Sequence, residues 1–167
     1  MAFRLVYVYD EKENQIEVKK VEFTWHAGGT LKSNRESIKE LHKVIEEEGI
    51  GRALDLSVNT EGELVRSLIY NSILDKVMYG KEKITLPIEI KNFKLREQYL
   101  IIAGINRNKE LSDFILQYNV FTNISYVPGK EDLSTAKICC VYKYLVSNSL
   151  IEEYLKYPDK VLIKEIV

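Results

Sequence analysis

The stretch Phe3-Arg4-Leu5-Val6-Tyr7-Val8-Tyr9, followed by Asp10-Glu11-Lys12-Glu13-Asn14 and then by Gln15 to Trp25, decides how the fold begins. Side chains on a strand point alternately to its two faces, so Phe3, Leu5, Tyr7 and Tyr9 share one face and Val6 and Val8 the other. Apolar residues on both faces predict a strand that is at least partly covered on each side. The polar run from Asp10 to Asn14 predicts a turn, and the return from Gln15 to Trp25 predicts a second strand joined to the first as a β-hairpin.

Helical periods appear further along. Ser33 and Glu36 have the spacing of a capping box, in which each side chain satisfies a backbone N–H at the helix start. Ile38, Leu41 and Ile45 then recur at helical spacing, and Gly49 is suited to end the helix in a left-handed conformation. Ala53 to Val58 predicts a short strand. Thr60 and Glu63 repeat the capping-box spacing ahead of a helix carrying Leu64, Val65, Leu68 and Ile69. Lys83 to Ile90 alternates as a strand, and Pro87 pushes it to an edge. Leu95 to Asn106 and Glu110 to Tyr118 predict two helices split around Asn106-Arg107-Asn108. Phe121 to Leu133, with Pro128-Gly129, predicts a loop. Ser134 to Leu155 predicts a helix with a break near Ser147-Asn148-Ser149, and Val161 to Val167 a last strand. The expected fold is α+β: one domain over residues 1–167, a small mixed or antiparallel sheet with helices packed around it.

Composition narrows the function classes. The chain has 167 residues, 46% hydrophobic and 29% charged, with 24 basic against 25 acidic side chains. A net charge of −1 creates no broad positive field, so an extended nucleic-acid surface is not expected. Lys81, Lys83, Lys91, Lys94 and Arg96 cluster locally, but Glu82, Glu89 and Glu97 interleave them as on a solvated face. No apolar run reaches the ~20 residues of a membrane helix, and the opening residues do not read as a signal peptide. A cytoplasmic location is expected. Adjacent Cys139 and Cys140 suit buried core thiols better than a structural disulfide.

The standard chemical motifs are missing. His26 and His42 are the two histidines, no Cys/His spacing matches a metal site, and neither a P-loop nor a dinucleotide fingerprint is present. No metal and no cofactor are expected. The segment from Trp25 to Arg35 remains. Gly28 and Gly29 let backbone amides approach a ligand closely. The helix start at Ser33 offers free N–H groups to a phosphate, Lys32 and Arg35 add charge, and Trp25 offers a stacking face. An ordinary strand-to-helix turn with a core tryptophan explains the same residues, and the two readings stay open on these features alone. Phe121-Thr122-Asn123 is a second candidate, although Thr and Asn often serve only to organise turns.

Two stretches resemble a known family. Glu22-Phe23-Thr24-Trp25-His26-Ala27-Gly28, continued by Ser37-Ile38-Lys39-Glu40-Leu41-His42, is similar to the N-terminal signature of NADAR proteins that accompany DNA ADP-ribosylating toxins. Lys109 to Tyr118, then Val120-Phe121-Thr122-Asn123-Ile124 and Pro128-Gly129-Lys130, resembles their C-terminal segment. Ala53 to Ser57 and Leu64 to Asn71 resemble the intervening strand and helix less specifically. The resemblance implies a NADAR-like fold and the handling of ADP-ribose attached to nucleobases. Family members use a Glu followed by an aromatic-Gln-x-x-Lys-Phe helix for N-glycosidic cleavage. The corresponding region here, Ile84 to Phe93, keeps Glu89, Lys91 and Phe93, but Pro87 disfavours the helix.

A shortened, catalytically degenerate relative is therefore expected to bind an ADP-ribose-derived nucleotide without cleaving it. Such a nucleotide would be a cyclic or base-linked ADP-ribose immune signal, and a stripped-down protein of this kind would suit a phage that blunts host defence from within the host cytoplasm. On this reading Trp25 stacks the base, the amides after Gly28 with Lys32 and Arg35 meet pyrophosphate, Ser57, Asn71, Thr122 and Asn123 address ribose hydroxyls, and Lys91 closes over the ligand. His26, Gly29, Ser33 and Phe121 complete the expected ligand-binding set. The first alternative is a working ADP-ribosyl glycohydrolase using Glu89 and Lys91. The second is a protein–protein inhibitor with a vestigial pocket. The alternating first strand also offers an edge that could pair across a homodimer.

Overall fold

The computed structural model describes residues 2–23, 52–56, 93–125 and 135–166. The opening hairpin is as expected. Strand β1 (Ala2–Asp10) pairs antiparallel with β2 (Gln15–Phe23), from Ala2 opposite Phe23 to Asp10 opposite Gln15. The turn is held by Asp10, whose Oδ1 accepts from the Lys12 and Glu13 amides at 2.9 and 3.2 Å. Asn14 closes it at φ 51°, a left-handed conformation that asparagine tolerates better than most residues.

Three more strands complete a mixed five-stranded sheet. Strand β3 (Ala53–Asp55) runs parallel to β4 (Val120–Ser125), β4 runs antiparallel to β1, and β5 (Glu165–Ile166) runs parallel to β2. The order across the sheet is β3-β4-β1-β2-β5. Two expectations are corrected here. Phe121 to Ser125, expected to open a loop, form a strand at the centre of the sheet, because β1 and β3 supply ladder partners on both sides. Strand β1 is likewise central, with β2 and β4 occupying its two edges, so it offers no edge for pairing across a homodimer. Of the last expected strand, the described residues 161–164 stay outside the ladder and Glu165 and Ile166 join it.

Helices α1 (Phe93–Arg107), α2 (Lys109–Ile115), α3 (Thr135–Ser147) and α4 (Ile151–Lys156) follow the expected order. The break between α1 and α2 is made by Asn108. Its side chain accepts from the Leu111 amide at 3.1 Å and so caps α2. The break between α3 and α4 falls at Asn148 and Ser149, with Ser149 at φ 55°. The helix expected from Ser33, the helix expected from Thr60 and the strand expected at Lys83–Ile90 lie outside the described residues.

The sheet's two faces carry different residues. Leu5, Tyr7, Tyr9, Ile16, Leu54 and Phe121 join one buried cluster with α3 side chains such as Ile138, Tyr142 and Leu145. Among the described residues, Val6, Val8 and Val120 form a separate cluster on the other face. Several tyrosine hydroxyls in the larger cluster are hydrogen-bonded. Tyr142 exchanges a hydrogen bond with Ser112 Oγ at 2.7 Å and donates to Asn106 Oδ1 at 3.1 Å, while Tyr99 donates to the Leu155 carbonyl at 3.0 Å. Among the described residues no helix is long and apolar enough to cross a membrane.

Candidate functional site

Three described strands that lead into or contain candidate residues share one direction. Strand β1 runs opposite to both β2 and β4, and β3 runs with β4. Consequently β2, β3 and β4 all present their carboxyl ends at the edge of the sheet where β1 begins. The register gives the shape of that edge. Phe3 of β1 lies opposite Glu22 of β2 and Ser125 of β4, so β2 and β4 end within one residue of each other. Strand β3 stops earlier: the Leu56 amide donates to the Thr122 carbonyl at 3.0 Å, three residues before β4 ends. At ~3.3 Å per residue, the edge steps down by ~10 Å from β4 to β3.

The chain leaves these ends into candidate residues. Trp25 and His26 follow two and three residues after Phe23, and Ser57 follows directly after Leu56. Asn123 lies within β4, opposite Leu5 of β1. Trp25, His26, Gly28, Gly29, Lys32, Ser33, Arg35, Ser57, Asn71, Glu89 and Lys91 themselves lie outside the described residues.

Phe121 and Thr122 are described fully, and neither presents a free group. Phe121 is 0% exposed and belongs to the cluster under the helices. Thr122 is 0% exposed on the opposite face, and its hydroxyl donates to the Leu5 carbonyl at 2.9 Å. That bond ties β4 to β1 just below the stepped edge. The sequence assigned this hydroxyl to a ligand; in the structure it is engaged within the sheet, by a strand pairing that joins positions 117 residues apart.

The other titratable groups of the described core do not suit catalysis. Burial pushes the Cys139 thiol up to about 12, and it pushes Cys140 well above the usual thiol range, helped by the neighbouring Cys139 and Glu165. Both cysteines are free and buried, as expected. The Tyr154 phenol is also raised to about 12 by burial, against a hydrogen bond from Gln98 that lowers it. Among the described residues no group of three or more His, Cys, Asp and Glu side chains is arranged to hold a metal ion.

Comparison with known families bears on the part of the chain that builds this edge. Residues 2–69 match the family of DarT1-associated NADAR antitoxins. The resemblance seen in the N-terminal signature is thereby shown for that span. The family match takes in β1, β2 and β3, together with Trp25, His26, Gly28, Gly29, Lys32, Ser33, Arg35 and Ser57. It ends before Asn71, Glu89, Lys91 and β4, so the C-terminal part of the resemblance lies outside it. No curated protein matches the chain.

Proposed function

We propose that the chain binds an ADP-ribose-derived nucleotide at the stepped edge of its sheet and sequesters it without cleaving it. The observation that supports this reading is the common direction of β2, β3 and β4: Trp25 and Ser57 follow the ends of β2 and β3 in sequence, and Asn123 lies within β4. Trp25 follows Phe23 by two residues, a reach of ~7 Å at most, and Ser57 follows Leu56 by one. Neighbouring strands are ~4.8 Å apart, so the ends of β2 and β3 are separated by ~14 Å across the sheet. A dinucleotide-sized ligand bridges such a distance. Trp25 stacks the base, the amides after Gly28 with Lys32, Ser33 and Arg35 take the pyrophosphate, and Ser57, Asn71 and Asn123 meet ribose hydroxyls. Thr122 holds β4 in place for them.

Sequestration is preferred to hydrolysis on chemical grounds. Cleaving an N-glycosidic bond requires a placed acid or base and a group that stabilises the oxocarbenium-like charge. The family's catalytic helix has no counterpart in the sequence around Pro87, whereas binding requires only amides, a stacking ring and a few polar groups. A second reading is favoured by the family's description as antitoxins: an ADP-ribosyl glycohydrolase, with Glu89 and Lys91 doing the acid–base work in a toxin–antitoxin setting.

One experiment separates the two. The protein is mixed with ADP-ribose, cyclic ADP-ribose isomers, NAD or DNA bearing ADP-ribosylated guanine, its melting temperature is recorded, and each mixture is then chromatographed. A ligand at a hundredfold its Kd adds ~2.7 kcal/mol of stability, which moves Tm by several degrees. A shift with intact ligand recovered supports sequestration. Release of free ADP-ribose replaces it with the glycohydrolase, and no shift with any compound overturns both in favour of a protein partner.

A further inference from the structure

Beyond Pro158, which is buried, the segment that follows α4 is attached to the rest of the molecule by few contacts. Residues 157–164 have no regular structure, Tyr157 is 44% exposed, and Leu162 is 88% exposed. Val161 and Ile163 pack against the main cluster but are only partly buried. The ladder to β2 consists of two register pairs, Ile16 with Glu165 and Glu17 with Ile166. The Ile16 amide donates to the Lys164 carbonyl at 2.7 Å. One ion pair, Lys137 to Glu165 at 3.3 Å, joins the segment to α3.

What lies beneath is packed much more tightly. Ile16, Cys139 and Cys140 are all 0% exposed. Lys137 and Cys140 are three residues apart on α3 and therefore share a helix face. Glu165 faces that same side: it pairs with Lys137, and its charge acts on the Cys140 thiol. The face of α3 that carries Cys140 is thus the one that Glu165 closes. Segments with few buried apolar contacts open at lower free energy than the core they cover.

We propose that residues 159–166 form a strap that opens as a unit while the sheet and α3 stay folded, and that its opening uncovers Cys140 but not Cys139. The open state frees the β2 edge at Ile16 and Glu17 and the Lys137 side of α3 together, because Lys164 and Glu165 hold both.

The test uses the full chain. Native-state hydrogen exchange follows the Ile16 amide, and labelling with N-ethylmaleimide, resolved by peptide mass spectrometry, follows each thiol. Cys140 is expected to label at least tenfold faster than Cys139. Glu165→Gln removes the ion pair and is expected to speed both Ile16 exchange and Cys140 labelling by about two- to fivefold, with Cys139 unchanged. Equal labelling of the two cysteines overturns the strap, since both would then report global unfolding. Faster Cys140 labelling in Glu165→Gln with unchanged Ile16 exchange also overturns it, because the loss of a nearby carboxylate would then have altered thiol chemistry alone.

Discussion

Adjacent residues of β4 show how differently the two faces of the sheet are built. Phe121 points to the helix-covered face, where Tyr7, Tyr142 and Leu145 belong to the same buried cluster. Thr122 points to the other face beside Val6, Val8 and Val120, and its hydroxyl bonds to the Leu5 carbonyl. Towards β2 that second face becomes polar: Glu17 and Lys19 pair at 3.9 Å with side chains about 40% exposed. Among the described residues, the first face carries large side chains, whereas the second carries Val6, Val8, Val120 and the engaged Thr122 hydroxyl, all of them buried.

Substitutions on β4 test that contrast most strongly. Phe121→Ala removes a fully buried ring and is expected to cost ~3–5 kcal/mol, against ~2 kcal/mol for Val120→Ala on the other face. Urea denaturation with a shared m-value measures both, and equal losses would show that the faces carry equal load. The second prediction concerns pH. The folded chain holds the Cys139 proton up to about 12, whereas an unfolded thiol releases it near ~8.5. The resulting stability is fully present below pH ~8.5 and is lost as pH rises towards the folded value. At pH 10 the loss due to Cys139 alone is expected to be ~2 kcal/mol. The urea midpoint should therefore fall between pH 7 and 10, and Cys139→Ala should flatten that fall; an unchanged slope would place the alkaline loss elsewhere.

The smallest expected effect is at the edge itself. Thr122→Val keeps the β-branched shape and removes the bond to Leu5, at a cost of ~1 kcal/mol. Because the hydroxyl acts on strand position, ligand affinity measured by calorimetry should weaken modestly and survive, whereas loss of a direct ligand contact would abolish the polar interaction outright. Retained stability together with complete loss of binding would return Thr122 to the ligand.

Much of the described fold was legible because it rests on local signals. The hairpin follows from alternation and from a turn that Asp10 organises through its own neighbours. The breaks at Asn108 and at Asn148-Ser149 follow from residues that favour caps and left-handed backbone. The β4 strand was not legible. Val120-Phe121-Thr122-Asn123 contains a Thr-Asn pair that commonly organises turns, and it becomes a strand only where β1 and β3 supply partners. Likewise, the candidate residues around Trp25 and Ser57 could be named from sequence, but their relation to one another could not. That relation depends on strand direction, which no residue encodes by itself.

The sequence by itself determined the α+β class, the hairpin, the order of the described helices and the breaks between them, the buried thiols and the family resemblance of its N-terminal part, since each depends on residues within a few positions of one another or on a motif read in order. Tertiary structure alone decided that β1 is central, that β4 separates β3 from it, that the carboxyl ends of β2, β3 and β4 share one edge, and that the Thr122 hydroxyl is engaged at Leu5. Those features arise from pairing between segments far apart in the chain, from Ala53 with Val120 to Phe3 with Ser125, where backbone hydrogen bonds and side-chain volume select the neighbour over local propensity.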